Sequence, residues 1–296
     1  MLEYIGYVIL GLAVGFLSGM FGVGGGFLLT PLLNILFNIP YNIAAGSSLA
    51  AILVTSFMGS IKHRSLKNID YKLAVFLIAG SLAGVFVGIN LLEVFKKTGN
   101  IFINGKELVA VNFYLSVIYI VLLLGVGVMT FVESSKAKKR PAQGGRVDTA
   151  VNKRIKELKL YPIITLPHSG LESMSVSVIV LSGFAVGLTA GLVGAGGGFI
   201  LNPVLIYALG VPTTITIGTG LFTTVFSSFF GTVGHLFKSN INFSIVFFCL
   251  LGSLIGVSFG ANITKQLRGA HIRFYFSLIL FFAAGMIFVK LLSTIL

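Results

Sequence analysis

Charge is what this chain has least of. Only 10% of its 296 residues are charged, against about 25% in soluble domains. Hydrophobic residues make up 56% and the mean hydropathy is +1.01, so a soluble fold is excluded. Acidic residues are scarcest: Glu3, Asp70, Glu93, Glu107, Glu133, Asp148, Glu157 and Glu172 are the complete set of eight. None falls in the middle of an apolar run, and none follows Glu172. A carboxylate proton relay, a carboxylate-rich cation site and a hydrolase with paired acids are all disfavoured. The one cysteine, Cys249, lies in an apolar run and leaves neither an intrachain disulfide nor a thiolate metal cluster. No two histidines stand at metal-ligand spacing, so neither a metal site nor a cofactor is predicted. The first residues, "MLEYIGYVIL", carry no Lys or Arg and no small-residue cleavage site follows. They read as a retained membrane segment, not a signal peptide.

What is there is a set of runs near the 20 or so residues that cross a bilayer, such as Leu73 to Leu92, Phe113 to Val132, Phe243 to Ala261 and Phe274 to Leu292. The net charge of +13 does not point to nucleic acid. Nine of the 21 Lys and Arg lie between Lys136 and Lys159, and the rest flank apolar runs, as in basic loops at a membrane. Within that stretch Val151, Ile155 and Leu158 share one helical face. A short helix on an anionic membrane surface and a solvated linker fit equally well.

The chain is also a repeat. At an offset of 172, "GLAVGFLSGMFGVGGGFLLTPLL" (Gly11 to Leu33) lies over "GFAVGLTAGLVGAGGGFILNPVL" (Gly183 to Leu205), with 13 of 23 positions identical. The register pairs Pro40 with Pro212, Gly46 with Gly218, Ser56 with Ser228, His63 with His235 and Asn68 with Asn240. It then slips to 161, because the first half has 11 extra residues near Lys96 to Leu108.

The apolar run from Tyr4 to Phe37 has 34 residues. As one straight helix it would be about 50 Å long, in a hydrocarbon core of roughly 30 Å. "GVGGG" at its middle supplies a break, since glycine allows the dihedrals of a tight turn. Irregular backbone at membrane depth survives only inside protein or beside a cavity, so a helix–turn–helix hairpin is predicted in each half. A hairpin that enters and leaves on one side leaves three full spans per half and inverts the halves; a single broken span makes four and leaves them parallel. With the central basic linker in the cytoplasm, the inverted arrangement places loops 62–72 and 263–273 (Lys265, Arg268, Arg273) inside. Lys and Arg outside the linker then divide 7 inside to 5 outside, against 6 to 6 for the parallel one. Gly11, Gly15 and Gly19, spaced by four, read as helix packing. Gly24, Gly25 and Gly26, with Gly196, Gly197 and Gly198, read as functional turns, because packing does not need three glycines in a row. No "GKS" or "GKT" follows, which removes a phosphate loop.

Helix N-termini after such turns offer free N–H groups and a positive dipole end, an anion site built from backbone. Thr30 and Asn202 follow the two turns, each before an aligned proline, Pro31 and Pro203. Ser47, Ser48, Thr219 and Thr223 add donors from the next segments. His63 and His235 match across the repeat and are candidates for proton coupling or for attracting an anion.

The doubled "GxGGGF…P" segments, the eight-segment hydropathy and the central basic loop resemble the TauE/SafE family of sulfite exporters, also called toluene sulfonate uptake permeases. That resemblance implies secondary transport of sulfur-containing anions, such as sulfite, sulfoacetate and other organosulfonates, without ATP. It carries the family's glycine motif onto Gly22, Gly24, Gly25 and Gly26, onto Gly194, Gly196, Gly197 and Gly198, and onto Pro31 and Pro203. Substrate and direction vary within the family and do not transfer. The reading is an all-α polytopic membrane protein of two inverted repeats, each a Gly-broken helical hairpin plus three transmembrane helices. Residues 1–132 and 174–296 form the repeats and 133–173 a basic cytoplasmic linker. The expected function is alternating-access transport at a midplane site, in a prokaryotic cytoplasmic membrane, with no enzymatic activity. The expected partners are a small anion, the lipid bilayer and a proton as candidate co-substrate, with no nucleic acid; a homodimer is compatible with the sequence. A passive anion channel is the alternative, and a membrane-embedded enzyme or thiol carrier is a third reading.

Overall fold

A computed structural model describes residues 2–103, 106–139, 152, 154–155, 160–264 and 269–296. The first apolar run splits into α1 (Leu2–Phe21) and α2 (Gly26–Phe37), followed by α3 (Tyr41–Ser65) and α4 (Tyr71–Lys97). The 11 extra residues form a hairpin of β1 (Asn100–Ile103) and β2 (Lys106–Val109) before α5 (Ala110–Lys139). A second hairpin, β3 (Ile163–Leu166) and β4 (Leu171–Ser175), precedes α6 (Val176–Val193). Then come α7 (Gly198–Pro203), which widens into a π-helical turn over Val204–Leu209, α8 (Thr213–Phe237), α9 (Phe243–Thr264) and α10 (Gly269–Ile295). The widening begins directly after Pro203, whose ring and missing N–H disrupt the i to i−4 ladder. Eight of these helices are long and apolar enough to cross a membrane, and the protein is a polytopic all-α membrane protein.

The chain doubles back at each break. Phe37, at the end of α2, packs at a tilt against Tyr7 near the start of α1 with ring centres 4.5 Å apart, so α1 and α2 are the arms of one hairpin. In the second half Leu205, Leu209 and Val211 pack with Ile179 of α6, the same return. The arms are unequal: α1 has 20 residues and α2 has 12.

Two of the most extensive helix pairings join the halves reciprocally, α1 with α9 and α4 with α6. Both are parallel pairs with glycine-lined seams. A Cβ on Gly11, Gly15 or Gly19 would collide with the carbonyls of Cys249, Ser253 and Val257, and one on Gly252, Gly256 or Gly260 with those of Val8, Leu12 and Phe16. Gly80, Gly84 and Gly88 meet Val180, Phe184 and Leu188 in the same way, and Gly183, Gly187 and Gly191 meet Leu77, Ser81 and Val85. The packing role expected for Gly11, Gly15 and Gly19 therefore holds. Such close approach is how helices associate where lipid removes the hydrophobic drive between them.

At the centre α3 crosses α8 antiparallel: Gly46 lies against Asn240 and His235, while Gly59 lies against Leu221. Gly218, near the start of α8, lies against Asn68. The 66–70 and 238–242 loops are thus at opposite ends of the bundle. At the 66–70 end Asp70 caps α4 by accepting from the Leu73 N–H at 3.1 Å. Its other carboxylate oxygen accepts from the Ser169 N–H at 3.1 Å and the Ser169 hydroxyl at 2.6 Å, which ties the β3–β4 turn to this loop.

The structure refines three boundaries. α5 continues to Lys139, past residue 132, and the β3–β4 hairpin occupies the end of the expected linker. Arg273 lies within α10 and is buried, not in a loop. The amphipathic reading of Val151, Ile155 and Leu158 falls, except for isolated residues, outside the described residues, as do Lys265 and Arg268.

Candidate functional site

The two glycine breaks share one backbone geometry. Gly22, Gly24 and Gly25 have φ of 68°, 76° and 75°; Gly194, Gly196 and Gly197 have 73°, 67° and 77°. Side-chain-bearing residues rarely adopt this left-handed region, which explains the repeated glycines. The breaks also touch. A Cβ on Gly26 would come within 2.9 Å of the Ala195 backbone, and the Val23 carbonyl carbon lies 2.9 Å from the Cβ position of Gly198. Phe27 and Phe199, one residue beyond, stack with centres 5.8 Å apart. The first intrahelical bonds of α2 and α7 are made by Leu28 and Ile200, to Gly25 O and Gly197 O. The N–H groups of Gly26, Phe27, Gly198 and Phe199 come before them, at the positive ends of the helix dipoles.

Thr30 and Asn202 are tied across the repeat. The Thr30 hydroxyl donates to Gly194 O at 3.2 Å, and the Asn202 amide donates to Phe21 O and Gly22 O at 3.3 and 3.2 Å. Tyr119 adds a donation to Val193 O at 2.7 Å. Each hairpin thus satisfies the carbonyls orphaned at the end of the other hairpin's first arm. Both residues are at the site, but their donors are already engaged.

Four of the remaining predicted residues divide in two. Ser48 and Thr223 are buried, with hydroxyls that have no partner. Ser47 and Thr219 serve the loops instead: Ser47 Oγ accepts from the Asn242 N–H at 2.9 Å, and Thr219 Oγ1 from the Asp70 N–H at 3.0 Å. The histidines lie outside the breaks, with His235 against the last turn of α6. His235 lies two turns beyond Ser228, with Nε2 3.0 Å from Gly191 O and Nδ1 3.5 Å from Asn240 Nδ2. Asn240 in turn contacts Asn42, Glu93 and Lys96. His63 holds the equivalent place at the other end, with Nδ1 3.4 Å from Asn68 Nδ2.

Sequence reasoning left out the two residues that face the breaks most directly. Ser56 Oγ lies 3.1 Å from the Cβ position of Gly24, and Ser228 Oγ lies 3.3 Å from that of Gly196. Both serines are fully buried and neither hydroxyl has a partner. Ile52 and Thr224 line the same two positions. The void beside Gly24 measures about 10 Å³, room for one water at most, so the breaks are closed on each other. A cavity of about 1100 Å³ lies elsewhere, at the 66–70 end. Arg64, Lys67, Lys72 and His168 stand among its aromatic walls, and none of the unpartnered hydroxyls lines it.

Comparison with known proteins agrees with this architecture. The family described as "Sulfite exporter TauE/SafE" matches residues 7–287. The chain belongs to the TauE/SafE family. Among TauE/SafE-like relatives, the "Probable membrane transporter protein YunE" of Bacillus subtilis is 26% identical over 278 residues, 90% of each chain. The "Probable membrane transporter protein YjnA" of the same organism is 26% identical over 280 residues, 91% of this chain and 94% of that one. The "Sulfite exporter TauE/SafE family protein 3" of Arabidopsis thaliana is 31% identical over 134 residues, 44% of this chain and 28% of its own. No solved structure matches. The protein is an integral membrane transporter of this family, and the bacterial relatives fit a cytoplasmic membrane.

Proposed function

We propose that this TauE/SafE protein is a secondary transporter of sulfur-containing anions, sulfite or an organosulfonate, bound where the two glycine breaks meet. The observation that carries the reading is the pair of buried, unpartnered hydroxyls, Ser56 and Ser228, set against Gly24 and Gly196. A buried polar group without a partner is costly, and a ligand is what such a group lacks. The donors at hand are hydroxyls and the amides at the starts of α2 and α7. At the breaks these neutral donors can hold an oxyanion and release it.

The repeats, 1–132 and 174–296, are read as inverted. Support comes from the antiparallel crossing of equivalent helices α3 and α8 and from the equivalent loops 66–70 and 238–242 at opposite ends. Inverted repeats with broken helices at mid-depth are a recurring plan for alternating access. The breaks are closed, so anion entry requires them to part. His63 lies toward one end of the bundle and His235 toward the other, where it bonds to Gly191 O within one turn of the second break; a role in proton coupling would act beside the breaks.

The test is flux in proteoliposomes. Saturable uptake of sulfite or sulfoacetate down a gradient, without unitary currents in planar bilayers, is the expected result. Unitary currents would replace the transporter with an anion channel, and no flux of any sulfur oxyanion would remove the reading.

A further inference from the structure

Arg273 is a buried cation with no counter-ion among the described residues. It sits in the second turn of α10 and is 7% exposed. Its Nη1 donates to Thr213 Oγ1 at 2.7 Å, while its Nε is buried and bonds to nothing. Among the described residues no carboxylate lies within ion-pair distance of it; its electrostatic neighbour is the Tyr207 phenol. An unpaired buried charge is strongly disfavoured.

The tether to Thr213 does not account for the charge. In the first half Asn112 stands where Arg273 stands, at the offset of 161, and Tyr41 stands where Thr213 does. There Asn112 Oδ1 accepts from the Tyr41 N–H at 3.2 Å, and a neutral side chain holds the same pair of helices together. Something else calls for the guanidinium in the second half.

A cavity of about 30 Å³ lies beside it, among α5, α7, α8 and α10, with Phe21 and Val23 of the first break in its wall. It has room for about two waters, which is the scale of a small anion. Thr130 and Asn202 also line it, both buried, and neither Thr130 Oγ1 nor Asn202 Oδ1 has a partner. The Asn202 amide is oriented by its two donations to Phe21 O and Gly22 O, so Oδ1 offers an acceptor and not a donor. A ligand that satisfies all three groups accepts from Arg273 and Thr130 and donates to Asn202. We propose that Arg273, Thr130 and Asn202 bind a small, singly charged oxyanion that carries one O–H, such as hydrogensulfite. The proposal rests on the reading of the protein as an anion transporter and makes the proton a passenger on the substrate.

Calorimetric binding to the purified full chain tests it, at one mildly acidic pH where sulfite and phosphate carry a proton and sulfate does not. The expected order is hydrogensulfite and dihydrogenphosphate bound at least about ten-fold more tightly than sulfate, because a site acceptor left facing a ligand without O–H is penalised. Arg273→Gln should abolish this O–H-selective binding and leave the sulfite binding that Ser56 and Ser228 support, and Thr130→Val, which keeps the charge and shape, should weaken the O–H-selective binding about ten-fold. Lys290→Gln, which removes a cation bonded to Asn34 and Asn38, should leave affinity unchanged. Sulfate bound as tightly as hydrogensulfite overturns the O–H requirement. Full affinity in folded Arg273→Gln overturns the site; if that variant fails to fold, unchanged affinity in Thr130→Val does so. Loss of binding in Ser56→Ala/Ser228→Ala with full affinity in Arg273→Gln would keep the transport reading and remove this site. A wild-type protein that binds no sulfur oxyanion would remove both.

Discussion

Replacing Ser56 and Ser228 by alanine should make the ligand-free protein more stable and the transporter worse. Both hydroxyls are buried without a partner, and each such group costs about 1–3 kcal/mol of desolvation. Alanine removes that cost and leaves only a small void, so each substitution should raise unfolding free energy by up to about 1 kcal/mol. The opposite sign applies to the anion complex. A hydrogen bond from a hydroxyl to an ionised oxygen contributes about 1.5–3 kcal/mol, so each variant should bind its anion about 10- to 150-fold more weakly. Ser227→Ala is the matched control one residue away. Its hydroxyl already bonds to Gly196 O at 3.3 Å and Thr224 O at 3.2 Å, so its loss should be neutral or destabilising. Chemical unfolding in detergent gives the first quantity, and sulfite affinity with proteoliposome flux gives the second. Lowered stability with unchanged affinity in both variants would refute the reasoning, since the hydroxyls would then be structural.

The left-handed turn at Gly25 sets a separate expectation. Gly25→Ala must hold a side chain at φ 75° with its Cβ 2.8 Å from Val14, which should cost at least about 1–2 kcal/mol and reduce sulfite flux; Gly25→Leu and Gly197→Leu should abolish it, and full flux in both leucine variants would sink the site. Gly15→Leu or Gly256→Leu should separate α1 from α9 and prevent folding, whereas Gly125→Leu, with nothing within 4 Å of its Cβ position, should fold normally by size-exclusion chromatography. In a Cys249→Ser background, cysteines at the exposed equivalents Lys67 and Ser239 should react with a membrane-impermeant maleimide from opposite sides. Labelling from one side would refute the inverted arrangement. The adjacent aligned pair, Asn68 and Asn240, is unsuitable because Asn240 is fully buried.

The hairpins and glycine breaks were legible because repetition exposes constraint. Three glycines at matched places, in a run too long for one span, permit few conformations. The packing role of Gly11, Gly15 and Gly19 was legible from their spacing alone. Side-chain partners were not. Thr30 and Asn202 look like free donors beside each break, but their acceptors lie 164 and 180 or more residues away on the other half. Ser47 and Ser56 are both serines on α3, and only the crossing with α8 sends one to a loop and the other to a break. The alignment did pair Ser56 with Ser228; two matched hydroxyls nine residues before the ends of equivalent helices were the available signal. Arg273 read as a loop cation because it flanks an apolar run, and its burial depends on where α8 begins.

The packing also changes which parts can move. A picture of one sequence half rocking against the other would require the glycine seams to open, since α1 belongs to the first half and α9 to the second. Along those seams the backbones are in direct contact over three turns of each helix, and parting them would forfeit that close packing. Under the proposed alternating access the rigid units are therefore mixed: α1 with α9, and α4 with α6. Each unit carries the first arm of one hairpin and a full span of the other half. The breaks are held together by backbone contact, by the Phe27–Phe199 stack and by a few single hydrogen bonds, from Thr30, Tyr119 and Asn202 to carbonyls at the ends of α1 and α6. Each hydrogen bond contributes about 0.5–1.5 kcal/mol. On this argument the glycines of the seams set what stays fixed, and the glycines of the breaks set what opens.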